Sequence, residues 1–157
     1  MNILVLCTGN SARSILLESI LSHRSDGRIN AWSAGSKPAG KVHPQSITLL
    51  GAMGYPTDGL QSQSWDDYAT QAAPVMNAVI TVCGSAAAEE CPYWPGAPVR
   101  AHWGVEDPAA AAPAAQPAAF KEAYDLLKVR ADKLFALPFE DMSVAELQTH
   151  LNKIGQS

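Results

Sequence analysis

A cysteine, a short polar loop and an arginine stand together in the segment Cys7-Thr8-Gly9-Asn10-Ser11-Ala12-Arg13-Ser14. When such a loop leads into a helix, its backbone N–H groups can curl around a tetrahedral oxyanion, and the helix dipole adds positive charge. Arg13 would add two-pronged hydrogen bonds. The same field is expected to lower the pKa of the Cys7 thiol, and Ser14 is placed to donate a hydrogen bond to the thiolate. We predict an oxyanion site whose binding residues are Thr8, Gly9, Asn10, Ser11, Ala12, Arg13 and Ser14. The alternative is a glycine turn beside a buried cysteine and a surface arginine.

The chain contains three cysteines, Cys7, Cys83 and Cys91. This number is too small, and odd, for the disulfide framework of a secreted protein, and in a reducing compartment such cysteines more often do chemistry. Each of them could instead be a small buried hydrophobic residue. The four histidines show no metal-ligand spacing, and no set of Cys and His resembles a zinc site, so we predict no metal.

Strand and helix patterns alternate along the chain. Apolar runs at 2–6 and 77–82 are typical of strands buried in a parallel sheet, and weaker patterns predict strands at 29–33 and 99–103. Apolar spacing predicts helices over 13–22, 43–53, 120–137 and 144–154, and a capping-box-like start at Ser64 predicts another over 64–73. This order predicts an α/β three-layer sandwich with a four-stranded parallel sheet and helices on both faces. Ligands bind at the carboxyl ends of such strands, where both Cys7 and Cys83 fall.

The composition fits one ordinary domain over residues 1–157, since 47% of the residues are hydrophobic and 17% are charged. The 11 Lys and Arg against 15 Asp and Glu give a net charge of −4 with no basic block. This balance argues against partners such as nucleic acid or an anionic membrane. The apolar start is too short for a signal peptide, and no stretch approaches the roughly 20 apolar residues of a membrane span. We expect a cytoplasmic monomer.

Several short motifs together resemble one known family. They are Cys7 to Ser14, Trp32-Ser33-Ala34-Gly35, Val42-His43-Pro44, Val82-Cys83-Gly84, Cys91-Pro92 and the run from His102 to Pro108. The combination resembles the low-molecular-weight protein tyrosine phosphatase superfamily and, within it, the thioredoxin-coupled arsenate reductases. The resemblance covers most of the chain.

This resemblance implies a role for each chemical residue. Cys7 would attack arsenate, and Asp107, which precedes Pro108 as the general acid of this superfamily does, would help to protonate the leaving oxygen. Cys83 would then release arsenite and form a Cys7–Cys83 disulfide, and Cys91 would resolve it as a Cys83–Cys91 disulfide. Thioredoxin would reduce that disulfide, so no cofactor is bound. The function implied is reduction of arsenate to arsenite for arsenic detoxification.

Two alternatives stay open from the sequence. An ordinary low-molecular-weight tyrosine phosphatase would use Cys7, Arg13 and Asp107 and give no role to Cys83 and Cys91. Such phosphatases tend to carry aromatic residues after Asp-Pro, where this chain has alanines at 109–112. A variant of the reductase would use glutaredoxin or another thiol donor in place of thioredoxin.

The sequence also departs from the family pattern. Seven residues separate Cys83 from Cys91, one more than is usual. If that segment were helical, the Cα atoms of the two cysteines would lie about 12 Å apart, whereas a disulfide needs roughly 4.4–6.8 Å, so we expect the segment to rearrange on oxidation. Some relatives bind potassium through side chains matching Asn10, Glu18 and Ser33, but Gln63 stands where the fourth, acidic ligand is usual, and we predict no metal there. Tyr93 and Trp94, beside Cys91, are interpreted as a docking surface for the reductant.

Overall fold

Four parallel strands form one sheet in the order β2-β1-β3-β4. A computed structural model describes residues 1–84, 94 and 98–156. Within them β1 spans Asn2–Leu6, β2 Asn30–Ala34, β3 Ala78–Thr81 and β4 Val99–His102. Both neighbours of β1 run parallel to it, and Leu6 pairs with Ala34 on one side and Thr81 on the other. This central place explains why β1 is a continuous apolar run. The predicted α/β fold with a four-stranded parallel sheet is confirmed.

Among the described residues, four α-helices pack against one face of the sheet. α1 spans Arg13–Arg24, α2 Pro44–Ala52, α3 Gln116–Phe135 and α4 Val144–Gly155. Their apolar stripes meet Ile3, Val5 and Ile80 of the sheet and form the larger hydrophobic core. In α3 the buried residues recur every three or four positions, the period of a helix that is covered on one side. α4 begins with the predicted capping box, in which Ser143 and Glu146 exchange hydrogen bonds.

The opposite face of the sheet is covered by aromatic side chains. Strand residues of this face pack against Trp65, Met76 and Trp94. The Trp65 and Trp94 rings meet edge to face, with 6.1 Å between their centroids. Trp94 is only 2% exposed, so its predicted part in a docking surface is wrong, because the ring is used in the core. Tyr93 lies outside the described residues.

The prediction of a helix over 64–73 is wrong in the length of the helix. Ser64 does cap a helix, since its hydroxyl accepts the N–H of Asp66, but the helix is a short 3₁₀ helix at Trp65–Tyr68. Trp65 is its one buried residue, so there is no apolar stripe that could hold a longer helix against the sheet. α3 differs in the other direction and begins at Gln116, four residues before the predicted start, because Pro117 is tolerated in a first helical turn. Among the described residues, none of the helices combines the length and the apolar character needed to cross a bilayer.

Arg28 ties three elements together far from the carboxyl ends of the strands. Its guanidinium donates two hydrogen bonds to Glu140 and one each to the carbonyl oxygens of Phe135 and Leu137 at the end of α3. It also stacks on the Phe139 ring at 4.1 Å. The hydrogen bond from Arg28 lowers the pKa of Glu140 to about 2. The ionised form of Glu140 is therefore favoured by folding.

Replacing Glu140 should show this coupling as a pH effect on stability. Because the pKa of Glu140 is lower in the folded chain, its contribution is fully present above the ordinary pKa of 4.5 and is lost as pH falls toward about 2. We expect Glu140→Gln to lower the melting temperature at pH 7, and the difference from wild type to shrink below pH 4.5. Thermal unfolding from pH 7 to pH 3 measures this, with Glu122→Gln as a control that removes the same charge elsewhere. Equal melting temperatures for wild type and Glu140→Gln at pH 7 would contradict the expectation.

Candidate active site

The first cysteine lies at the end of β1, next to the second cysteine. The N–H of Cys7 donates to the carbonyl of Ala34 at 3.2 Å, which extends the pairing of β1 with β2 by one residue. Cys83 follows the end of β3, the other neighbour of β1. Both cysteines are buried, and a hydrogen bond with the Cys83 side chain raises the pKa of Cys7. The structure therefore brings two of the three predicted cysteines together, and Cys91 lies outside the described residues.

The loop that follows Cys7 is held from outside by its carbonyl groups. The carbonyl of Thr8 accepts one hydrogen bond, and those of Gly9 and Ser11 accept two each, all at 2.9–3.1 Å. The donors are backbone N–H groups of Lys37, Ala39 and His43 and the hydroxyls of Ser46 and Ser62. The carbonyls thus point away from the centre of the loop.

The outward carbonyls fix the direction of the N–H groups. In a trans peptide the N–H of the following residue points opposite to the carbonyl, so the N–H groups of Gly9, Asn10 and Ala12 face the inside of the loop. The Gly9 N–H donates to the Cys7 thiol. Ala12, at the N-cap of α1, supplies no side-chain cap, which leaves the positive end of that helix to another acceptor. This arrangement is what an oxyanion needs.

The Asn10 side chain stabilises the loop through hydrogen bonds to neighbouring elements. Its backbone adopts the left-handed region, with φ of 47°. Its buried side-chain amide donates to the hydroxyls of Ser14 at 2.8 Å and Ser33 at 2.9 Å and accepts the N–H of Gln63 at 2.9 Å. Ser14 is the acceptor in its bond, so its hydroxyl proton is left to donate elsewhere. The bond from Ser14 to the Cys7 sulfur stays a prediction.

Gly35 lets β2 approach the loop more closely than any other residue could. A Cβ atom added there would lie 2.6 Å from the carbonyl oxygen of Cys7 and against that of Thr8. Both are backbone atoms, which cannot swing away as a flexible side chain would. Glycine is therefore required by the contact between β2 and the loop.

Arg13 connects the loop to the carboxylate predicted as general acid. Its Nη1 donates to the carbonyl of Val105 at 3.0 Å, and its Nη2 lies 3.8 Å from Oδ2 of Asp107. The other oxygen of Asp107 accepts the N–H of Ala109 at 3.0 Å, which caps the 3₁₀ helix Pro108–Ala110. Arg13 Nε is buried and has no hydrogen-bond partner among the described residues. An oxyanion in the loop would supply that partner.

The pKa of the Cys7 thiol is raised, so the prediction that it is lowered is wrong. The largest cause is the hydrogen bond with the Cys83 thiol, and burial of Cys7 adds to it. Arg13 and the Gly9 N–H lower the pKa, as predicted, but they are outweighed. The Thr8 N–H points at the Cys83 sulfur at 3.3 Å, and the Thr8 hydroxyl lies 3.6 Å from it. Negative charge on the thiol pair is therefore also stabilised at Cys83.

The polar cluster beneath the loop does not fit a potassium ion. Gln63 turns its amide N–H groups toward the carbonyl oxygen of Ser33 and the hydroxyl of Tyr68, at 3.1 and 2.7 Å. The oxygens of Asn10 and Ser33 that a cation would use thus already accept N–H donors. Burial raises the pKa of Glu18 to about 7 against the lowering effect of its Ser33 hydrogen bonds. Its Oε2 has no hydrogen-bond partner in the part of the chain that the structure describes, but one oxygen is no coordination shell. Within residues 1–84, 94 and 98–156 no three His, Cys, Asp or Glu side chains group as metal ligands.

Some residues that shape the site escape a reading of the sequence. Ser46 and Ser62 act on the site by donating to loop carbonyls, and nothing in their spacing indicates this. Gly35 ends a predicted strand, which is a weak sign of close backbone approach. Arg13 lies 3.8 Å from Asp107, the residue that the family resemblance implies as the acid.

Comparisons with known proteins place the chain among related sequences. The family described as low molecular weight phosphotyrosine protein phosphatase matches residues 2–151. The arsenate reductase of Shouchella clausii strain KSM-K16 is 33% identical over 106 residues, which are 68% of this chain and 73% of that protein. A solved arsenate reductase in the phosphate binding state has a TM-score of 0.68 at 24% identity, covering 86% of this chain and 96% of that chain. A Corynebacterium glutamicum thioredoxin-dependent arsenate reductase has a TM-score of 0.62 at 23% identity, covering 85% and 59%.

Gly35→Ala should disturb the loop. The added methyl group meets backbone atoms of Cys7 and Thr8, so β2 or the loop must move, at a cost of about 1–3 kcal/mol in the free energy of unfolding. We expect weaker arsenate and phosphate binding by calorimetry together with a lower melting temperature. Gly51→Ala is the matched control, since nothing lies within 4 Å of a Cβ there. Unchanged anion affinity in Gly35→Ala would contradict the assignment.

Glu18→Gln should stabilise the chain at high pH. Because the folded pKa of Glu18 is raised to about 7 from 4.5, folding favours the neutral form, and stability is lost as pH rises through that interval. A neutral glutamine avoids this loss, which amounts to about 3 kcal/mol at pH 8 by the pKa difference. Urea unfolding at pH 4.5 and pH 8 measures the gain, which should be the same in sodium and potassium buffers. A variant that is less stable at pH 8 in potassium would indicate a bound cation instead.

Proposed function

The chain belongs to the low molecular weight phosphotyrosine protein phosphatase family, and from that premise we propose that it is an arsenate reductase whose cysteines pass electrons from thioredoxin to arsenate. Curated relatives at 32–35% identity are arsenate reductases. The observation that carries the proposal is the position of Cys83, which follows β3 beside β1, has its sulfur 3.3 Å from the Thr8 N of the loop, and raises the pKa of the Cys7 thiol. Hydrolysis of a phosphate ester needs one cysteine, whereas reduction needs a second thiol beside the first.

The first step is addition of arsenate to Cys7. The inward N–H groups and Arg13, whose Nε lies buried without a partner among the described residues, would bind the oxyanion. The Cys7 sulfur attacks arsenic, an S–As bond forms, and one oxygen leaves as water after taking a proton from Asp107. Arsenic remains in its pentavalent state at this point.

The second step transfers two electrons. The Cys83 thiolate attacks the Cys7 sulfur, the S–As bond breaks with its electron pair going to arsenic, and arsenite leaves. Its product is a Cys7–Cys83 disulfide. The hydrogen bond between the two thiols and the Thr8 N–H at 3.3 Å from Cys83 support this role, because they hold the attacking sulfur at its target.

The last step regenerates the two thiols. The Cys91 thiolate attacks Cys83 and frees Cys7, and thioredoxin, or a glutaredoxin-like donor, reduces the Cys83–Cys91 disulfide. A structural relative named as thioredoxin-dependent supports this donor. The cycle uses three cysteines of one chain, so a monomer suffices, and it requires the reducing conditions of the cytoplasm.

Cys83→Ser separates the reductase from a phosphatase. In NADPH consumption coupled through thioredoxin and thioredoxin reductase, we expect wild type to turn over with arsenate and not with phosphate, and the variant to fall to background. Hydrolysis of p-nitrophenyl phosphate should persist in Cys83→Ser and be lost in Cys7→Ser. Because Cys83 raises the pKa of Cys7, alkylation of Cys7 should also shift to lower pH in Cys83→Ser. Wild type that hydrolyses the ester but never consumes NADPH with arsenate would favour the phosphatase.

A further inference from the structure

An arginine of α3 is buried directly behind the segment that carries Asp107. Arg130 is only 6% exposed and lies on the helix face that also buries Leu127, Ala131 and Leu134. Burial lowers its pKa. Removing a guanidinium from water is costly unless hydrogen bonds compensate. The hydrogen bonds of Arg130 therefore indicate its role in the structure.

Arg130 holds the backbone that leads to the acid. Its Nη1 donates to the carbonyl of Gly104 at 3.0 Å. The next carbonyl, that of Val105, accepts Nη1 of Arg13, also at 3.0 Å. Two guanidinium groups from different elements therefore hold consecutive peptide carbonyls, two and three residues before Asp107.

The segment has little freedom between these contacts. Between them the Val105 N–H donates to the carbonyl of Val82 at 3.2 Å. Arg13, however, is also the residue placed to bind the oxyanion. When the Arg13 guanidinium binds the anion, the anion competes with the Val105 carbonyl for its N–H groups. The hydrogen bond from Arg130 to Gly104 does not involve the anion.

We propose that Arg130 is a positioning residue, which keeps Asp107 at the leaving oxygen while Arg13 is occupied by substrate. The inference rests on the proposed function for the role of Asp107 as acid. Loss of Arg130 should reduce the rate of the acid-assisted step and leave anion binding nearly unchanged, since the carbonyl that Arg130 holds belongs to Gly104, outside the loop.

Arg130→Met tests this role through Asp107. We expect kcat for arsenate to fall about tenfold, as for a misplaced catalytic group, with less than a twofold change in KM. In an Asp107→Asn background the same substitution should add less than a twofold further loss. Arg130→Lys, which keeps the charge and one donor, should recover part of the rate. Arg24→Met, which removes an exposed arginine that faces Asp132 of α3 at 3.7 Å, is the control and should leave kcat unchanged.

A second substrate pair separates positioning from a general structural defect. Phenyl phosphate, whose leaving group needs the proton more than p-nitrophenol does, should lose more rate than p-nitrophenyl phosphate in Arg130→Met. Equal losses on both esters, an equal loss in the Asp107→Asn background, or an unchanged kcat would overturn the inference. If Arg130→Met does not fold, the same comparisons on Arg130→Lys decide it. A wild type that hydrolyses the esters but does not reduce arsenate overturns the proposed function alone, and one inactive on all substrates overturns both.

Discussion

The direction of a few peptide groups decides what the rest of this structure can do. The carbonyls of Thr8, Gly9 and Ser11 must point outward for the N–H groups between them to face an anion. They do so because each carbonyl accepts hydrogen bonds from donors outside the loop, which are backbone N–H groups after Gly35 and the hydroxyls of Ser46 and Ser62. A loop of buried peptides cannot leave those acceptors unpaired without cost. The shape of the loop therefore depends on hydrogen-bond donors that lie outside it.

Parallel pairing of β1 with β3 adds the second constraint. It sets Cys83 against Cys7 at one edge of the sheet, and the hydrogen bond between their thiols raises the pKa of Cys7 against the pull of Arg13 and the Gly9 N–H. Arg13 and the Gly9 N–H thus lower the pKa of Cys7, whereas the second thiol, that of Cys83, raises it. In the proposed cycle this opposition has a chemical meaning, because the Cys83 sulfur that attacks Cys7 must lie beside it.

The sequence predicts the fold well where burial alone decides it. Asn2 to Leu6 is apolar throughout because both faces of the central strand are covered, and the capping box at Ser143 identifies the start of α4. Prediction fails where a distant contact decides. The helix expected after Ser64 lacks an apolar stripe, and Trp94 is consumed by the core beside Trp65. The predicted shift in the pKa of Cys7 has the wrong direction, because spacing along the chain does not reveal the Cys83 thiol beside it.

Val105 links the two halves of the chemistry. Its N–H donates to the carbonyl of Val82, the residue before Cys83, and its carbonyl accepts from Arg13. The segment that leads to Asp107 is thus joined on one side to Arg13 and on the other to the backbone that carries Cys83. In the proposed cycle Asp107 acts first and Cys83 acts afterwards, so the same short segment must keep its position through both steps. A third contact, the hydrogen bond from Arg130 to the Gly104 carbonyl, involves neither Arg13 nor a cysteine.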